Sequence, residues 1–76
     1  MIEVTLLNFV AATNPGHPPQ FKRSARPGLT VMDLIEEEGI EDESIQLVIV
    51  NGRVGRRDSQ LTDGDRVALS ALITGG

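Results

Sequence analysis

The 76-residue chain contains no cysteine, tryptophan or tyrosine. Without cysteine it has no disulfide, no thiolate metal site and no cysteine nucleophile. Its only aromatic residues are Phe9 and Phe21, so it lacks the stacked rings with which many proteins bind single-stranded nucleic acid. No apolar run approaches the ~18 residues of a membrane-spanning helix. These absences argue against a disulfide scaffold, a single-strand-binding domain and a membrane protein.

The length and composition are those of one small globular domain. A chain of this size has room for a single core, so we expect residues 1–76 to form one domain. Its 39% hydrophobic and 24% charged residues are ordinary for a water-soluble protein. No signal-peptide pattern precedes the first predicted strand, and the expected compartment is therefore the cytoplasm.

The formal net charge of −4 conceals a segregation of charge. An acidic segment, residues 33–43, contains no Lys or Arg and carries Asp33, Glu36, Glu37, Glu38, Glu41, Asp42 and Glu43. Outside it, seven basic residues outnumber four acidic ones, which leaves a charge of +3. A charge run of this kind is usually a solvated face, although it is also the kind of surface that docks a partner.

The hydrophobic pattern predicts five strands and one helix. The predicted strands are residues 1–9, 21–26, 45–50, a short strand near 53–56, and 66–73. A loop rich in proline and glycine is expected over 11–20, and Asn51–Gly52 has the composition of a two-residue hairpin turn. A hairpin followed by a crossover helix suits an α+β fold, in which the helix packs across one face of a mixed sheet.

The helix is predicted over residues 31–38. Thr30 is the expected N-cap, and Asp33 stands three residues on in a capping-box position. Gly39 supplies the C-terminal stop. The three glutamates 36–38 crowd the negative end of the helix dipole, which costs a few tenths of a kcal/mol each.

No set of side chains in the sequence amounts to a catalytic site. The only histidine, His17, lies in the proline-rich loop, where we expect it to be exposed to solvent. The acidic segment matches no calcium-loop spacing, so no metal site is predicted. No base is evident beside any of the serines, which are Ser24, Ser44, Ser59 and Ser70. The chain is therefore not expected to be an enzyme.

The remaining candidate for chemistry is the end of the sequence. The last predicted strand runs directly into Thr74, Gly75 and Gly76. Because glycine has no Cβ, such a segment can enter a narrow cleft, and residues 74–76 fully extended reach ~10 Å. We therefore predict that 74–76 form a flexible functional tail and that the Gly76 carboxylate is the reacting group. A frayed end would explain the glycines but not the strand that leads into them.

Four stretches stand out by their order and spacing: "TVMDLIEEEGI", "VNG", "LTDGDRVAL" and the closing "TGG". Together they resemble the MoaD/ThiS family of ubiquitin-like sulfur carriers over nearly the whole chain. The resemblance implies a β-grasp (ubiquitin-like) fold, with one helix packed across a mixed four- to five-stranded sheet. In that fold the first and last strands lie parallel at the centre of the sheet.

The resemblance also implies a chemistry and a set of partners. In this family an E1-like adenylyltransferase of the MoeB/ThiF type uses ATP to convert the terminal carboxylate to an acyl-adenylate. A sulfur donor then produces a thiocarboxylate, which a sulfur-accepting synthase consumes. Carried over to this chain, Gly76 bears the adenylate and the thiocarboxylate, and Gly75 threads the channel. Leu72, Ile73 and Thr74 contact the cleft of the activating enzyme, and the carrier itself binds no cofactor.

The stretch "LTDGDRVAL" with the closing "TGG" is most similar to the small subunit of molybdopterin synthase, which favours molybdenum cofactor biosynthesis. That subunit commonly has a Pro-Pro pair where this chain has Ser70-Ala71-Leu72, so thiamine thiazole synthesis and tRNA thiolation stay open as alternatives. A protein modifier conjugated through Gly76 is a further alternative.

A third class of function is a plain binding module without a covalent role. The basic strand with Lys22, Arg23 and Arg26 would then contact RNA, with an affinity that falls steeply as salt rises. The acidic chain as a whole and the scarcity of aromatic residues disfavour this reading, and neither nucleic acid nor a membrane is an expected partner.

Overall fold

The protein is described by a computed structural model that covers residues 1–71, with the side chain of Asn8 left aside. Its elements are β1 (Ile2–Leu6), α1 (Asn8–Thr13), β2 (Gln20–Arg23), α2 (Val31–Glu38), a 3₁₀ turn (Asp42–Ser44), β3 (Leu47–Val50), β4 (Arg53–Val54) and β5 (Arg66–Ser70). No helix in this part of the chain has the length and apolar character needed to cross a bilayer.

The five strands form one mixed sheet in the order β2-β1-β5-β3-β4. β1 and β5 are parallel at its centre, and the β1–β2, β3–β5 and β3–β4 pairs are antiparallel. In the parallel pair Val4 lies opposite Val67 and Leu6 opposite Leu69, so these four side chains share one face. All four are buried. The β-grasp arrangement implied by the resemblance is confirmed.

Helix α2 covers that face of the sheet. Val31, Leu34 and Ile35 are fully buried and belong to the same core as the strand residues. At the start of the helix, the Asp33 N–H donates to Thr30 Oγ1 and the Thr30 N–H donates to Asp33 Oδ2, both at 3.1 Å. The chain leaves the helix through Gly39 with φ 68°, where a side chain would be strained. The predicted helix, its capping box and its stop are all confirmed.

The hairpin between β3 and β4 is also confirmed. Asn51 and Gly52 have φ values of 53° and 80°, as a type I′ turn requires at both central positions. β4 has only two residues and forms one edge of the sheet, while β2 forms the other.

The segment after β1 differs from the prediction. The first strand ends at Leu6, and α1 occupies residues that were assigned to the strand and to the loop 11–20. The cause is Val10, which is completely buried and fixes the short helix against the core. Pro15 then prevents the helix from continuing. The other predicted strands are shortened to the bounds given above, and residues 72 and 73 of the last one lie outside the described residues.

The burial of Val10 predicts that the packing of α1 contributes to the stability of the protein. Val10→Ala should lower the free energy of unfolding by about 2 kcal/mol, because it removes buried methyl groups from a packed site. Val54→Ala is the matched control, since Val54 is 77% exposed and its truncation should change stability by less than about 0.5 kcal/mol. Urea unfolding measures both variants. Equal changes in the free energy of unfolding for the two variants would contradict the packing of residues 8–13 against the core.

Candidate functional site

The predicted tail leaves from the middle of the sheet. We call Leu69–Ala71 the tail root. Both Ser70 and Ala71 are buried, with 7% and 8% of their surface exposed. On one side the Leu7 N–H donates to the Leu69 carbonyl at 2.8 Å, and on the other the Gln46 N–H donates to the Ser70 carbonyl at 2.9 Å. The described chain is thus held by neighbours on both sides almost to its last residue.

The site residues predicted from the sequence begin immediately after the tail root. They are Leu72, Ile73, Thr74, Gly75 and Gly76, and all five lie outside the described residues. The structure therefore fixes the point from which they start, next to Ala71. Their roles in partner binding and in carboxylate activation stay predictions.

Two stretches that carry the family resemblance are joined by hydrogen bonds. Asn51 of "VNG" donates from Nδ2 to Asp65 Oδ1 of "DGD" at 2.9 Å, and its Oδ1 accepts from the Arg66 N–H at 2.9 Å. The other carboxylate oxygen of Asp65 accepts from the Thr62 N–H at 2.9 Å. The Thr62 N–H, followed by the Asn51 amide, lowers the pKa of Asp65. The hairpin and the turn that starts β5 therefore support each other.

The acidic segment is partly neutralised by the basic edge strand. Arg23 donates to Glu38 Oε2 at 2.8 Å and to Glu37 Oε1 at 2.5 Å, and Arg26 donates to both carboxylate oxygens of Glu37. The Arg26 and Arg23 hydrogen bonds lower the pKa of Glu37 to about 2. This part of the segment binds its own chain, so it is neither the solvated face nor the docking surface that the charge run suggested.

The same ion pairs bear on the RNA-binding alternative. Two of its three proposed contacts, Arg23 and Arg26, already hold carboxylates of α2. Lys22 remains exposed on the outer side of the edge strand. A nucleic acid would have to displace two glutamates to reach the arginines, and the alternative is weakened accordingly.

The prediction that His17 is exposed to solvent is wrong. Its side chain is only 15% exposed, and its Nε2 lies 2.7 Å from Glu38 Oε1. The ring packs edge to face on Phe21, with 4.6 Å between centroids, and Nδ1 lies 2.7 Å from the Pro18 carbonyl oxygen. The reason lies in the tertiary structure, because the last turn of α2 lies beside the loop and brings Glu38 to the His17 ring. His17 fastens that loop, and no hydroxyl nucleophile is among these neighbours.

The described part of the chain offers little for metal binding or side-chain catalysis. Within residues 1–71 no three His, Asp or Glu side chains come together as a metal site. The Ser59 hydroxyl accepts from the Arg56 N–H, and the Ser44 hydroxyl donates to the Glu41 carbonyl. Both hydroxyls therefore stabilise turns.

The outer face of the sheet, on the side away from α2, is a candidate contact surface. Ala68 lies opposite Thr5 on one side and Ile49 on the other, and Val54 is opposite Ile49. Val54 is 77% exposed. A groove of about 260 Å³ runs over Thr5, Ile49 and Ala68. The face is apolar at its centre and adjoins the tail root through β5.

Comparison with known proteins agrees with this architecture. The ThiS family model matches residues 6–76. The crystal structure of SAMP1 from Haloferax volcanii superposes with a TM-score of 0.74 at 19% identity, covering 99% of this chain and 98% of that one. At this identity the likeness shows the fold. No curated protein matches the chain significantly.

The depressed pKa of Glu37 predicts a pH dependence of stability. A carboxylate whose pKa is lowered on folding stabilises the protein above its unfolded pKa and stops doing so as pH falls through the folded value. The contribution of Glu37 should therefore disappear between pH about 4.5 and pH about 2. We expect Glu37→Gln to be less stable than the parent at pH 7, with the difference shrinking across this interval in urea unfolding.

Glu36→Gln is the matched control for that experiment. Glu36 is the exposed neighbour of Glu37 and has no ion pair among the described residues. Its substitution should leave the acid limb of the stability curve unchanged. Parallel curves for Glu37→Gln and the parent protein would contradict the prediction.

Proposed function

Since the chain belongs to the ThiS family, we propose that it is a sulfur carrier whose Gly76 carboxylate is activated by a partner enzyme. The family and the fold make it a ubiquitin-like carrier protein and not an enzyme in its own right. The observation that carries the proposal is the position of β5. This strand lies at the sheet centre, pairs on both sides and leads straight to the residues with the closing glycines.

The proposed reaction uses the chain as a substrate. A carboxylate is a poor electrophile, so one Gly76 oxygen attacks the α-phosphorus of ATP and pyrophosphate leaves. The acyl-adenylate then has AMP as a good leaving group. The donor supplies sulfur at the sulfide level: HS⁻ attacks the acyl carbon, AMP leaves with the electron pair of the broken C–O bond, and loss of a proton from the thioacid gives a thiocarboxylate, whose sulfur is a strong nucleophile. The absence of Cβ atoms at Gly75 and Gly76 leaves the carbonyl open to approach.

The proposed partners are an E1-like adenylyltransferase of the MoeB/ThiF type, a sulfur donor and a sulfur-accepting synthase. Residues 72–76, if fully extended, span about 17 Å from Ala71. This reach is sufficient to place Gly76 in an active-site cleft while the folded domain stays at its mouth. ATP belongs to the activating enzyme, and the carrier holds no cofactor.

For the sulfur acceptor we favour the synthase of molybdopterin, because of the "LTDGDRVAL" stretch. In this stretch Asp65 binds Asn51 of the hairpin, and this hydrogen bond fixes the position at which β5 begins. Thiamine thiazole synthesis and tRNA thiolation are the alternatives. Incubating the thiocarboxylated protein with each acceptor system separates them, since only the true acceptor should consume the sulfur.

A protein modifier is the second candidate function. Gly76 would then be joined to an amine of a target protein. Lys22 is the only lysine and is exposed, whereas the N-terminal amine is paired with Asp63. Chains linked to one another would therefore use Lys22, and Lys22→Arg should remove them. Isopeptide-linked products in lysate of the native host would favour this function over sulfur transfer.

Deleting Gly76 tests the carrier proposal directly. The variant should give no ATP–pyrophosphate exchange with the activating enzyme, because the activated carboxylate is misplaced by one residue. Protein isolated from the native host should show the mass of an oxygen-for-sulfur exchange, and the variant should not. Gly16→Ala is the control, since open space surrounds Gly16 and the change leaves the tail intact. Normal sulfur transfer by the shortened chain would remove the proposal.

A further inference from the structure

A small apolar patch lies beside the tail root, on the opposite side from the outer-face residues of β3 and β4. Phe9 is 55% exposed and Leu7 is 36% exposed. Single exposed apolar residues are common, but these two flank the start of α1 in a chain with only two aromatic residues. The other aromatic residue, Phe21, packs against the core.

The patch is held in place at the end of the sheet where β5 finishes. The Leu7 N–H is bonded to the Leu69 carbonyl, and α1 packs beside both β5 and the 3₁₀ turn. Asn14 connects these parts: its Nδ2 donates to the Val10 carbonyl at 2.8 Å, and its Oδ1 accepts from the Glu41 N–H at 3.0 Å. Helix α1, which carries Phe9, and the start of the 3₁₀ turn are therefore fixed relative to each other.

Two acidic residues beside α1 differ from those that pair with arginines of the same chain. Glu37 and Glu38 are paired with β2, and Asp42 is paired with Arg57 at 2.6 Å. Glu41 and Glu43 are exposed and have no ion pair within residues 1–71. Of the three glutamates without an ion pair within residues 1–71, Glu36 lies on α2, and the other two lie at the 3₁₀ turn, which contacts α1.

We propose that Leu7, Phe9, Glu41 and Glu43 form a docking surface for the activating adenylyltransferase. The matching surface of that enzyme carries an apolar pocket bordered by Lys or Arg. The inference rests on the proposed function: an enzyme that holds Gly76 has its cleft within about 17 Å of Ala71, so its rim meets the end of the sheet. Because Glu41 and Glu43 are negatively charged, charge complementarity favours an enzyme whose rim carries Lys or Arg over one whose rim is acidic.

Each part of the surface has its own expected effect. Phe9 acts as an apolar anchor, and interface aromatics of this kind commonly dominate binding. Glu41 and Glu43 act through long-range attraction, which speeds association and is screened by salt. Removing the anchor should weaken binding at every ionic strength, and reversing the charges should weaken it mainly at low ionic strength.

The test measures ATP–pyrophosphate exchange with the E1-like adenylyltransferase of the organism that encodes the chain. For Glu41→Lys combined with Glu43→Lys, the KM for the carrier should rise about tenfold at low salt while kcat stays within about twofold. In the parent protein KM should rise with added NaCl, and the double variant should lose this dependence. Phe9→Ser should raise KM at low and at high salt alike.

Asp58→Lys combined with Asp63→Lys is the matched control. Both carboxylates are 79% exposed, and the double change alters the net charge by the same amount. Asp63 lies in the turn that precedes β5, at the end of the sheet opposite to the tail root. This control should keep the KM and the salt dependence of the parent protein. Thermal unfolding of every variant checks that the domain is folded.

The outcomes separate this inference from the proposed function. Exchange that requires Gly76 but has the same KM in parent and variants overturns the docking surface alone. Equal losses in the two double variants mean that only net charge matters, which also overturns it. If the parent sediments as a dimer that Phe9→Ser dissociates, the occupant is a second copy and the enzyme assignment falls. No exchange with the parent protein overturns the proposed function itself.

Discussion

The parallel pairing of β1 with β5 is the constraint on which the rest of the structure depends. It joins the first strand of the described chain to the last. One hydrogen bond lies at each end of the pair: the Glu3 N–H donates to the Asp65 carbonyl at 3.0 Å, and the Leu7 N–H donates to the Leu69 carbonyl at 2.8 Å. Parallel strands cannot be linked by a tight turn, so the intervening chain has to cross the sheet, and α2 makes that crossing. A slip of one residue would turn Val67 and Leu69 away from the core. The register that buries them also determines where the tail leaves.

The link between Asn51 and Asp65 secures the beginning of β5. Parallel pairing is slow to find because its partners are far apart in sequence. The turn before β5 is bonded to the β3–β4 hairpin, and this bond aligns β5 with β3 in the observed register. The other edge of β5 then pairs with β1. This is a physical reason for the joint occurrence of "VNG" and "DGD" in one sequence. The hydrogen bonds from the Thr62 N–H and the Asn51 amide also lower the pKa of Asp65.

The sequence could predict the elements that are specified by neighbouring residues. Helix α2 has its cap, its second capping-box partner and its stop within ten positions, and the hairpin turn needs only Asn51 and Gly52. Helix α1 was missed because its stability comes from one buried side chain, Val10, and not from a cap or a long apolar stripe. The contact between His17 and Glu38 joins residues 21 positions apart, and no local pattern encodes it. The site residues 72–76 were identified from motif resemblance, which specifies order along the chain and not geometry.

The distribution of charge fits a ubiquitin-like carrier of the ThiS family. Its specificity has to reside in surfaces that other proteins recognise, and a small domain has few residues to spare for them. Glu37 and Glu38 lie at the negative end of α2, where like charges are unfavourable. Arg23 of β2 pairs with both of them, and Arg26, which follows that strand, pairs with Glu37, so these ion pairs offset the cost. The acidic segment is therefore divided between two tasks. Glu37, Glu38 and Asp42 pair with arginines of the same chain, whereas Glu41 and Glu43 beside α1 have no ion pair among the described residues.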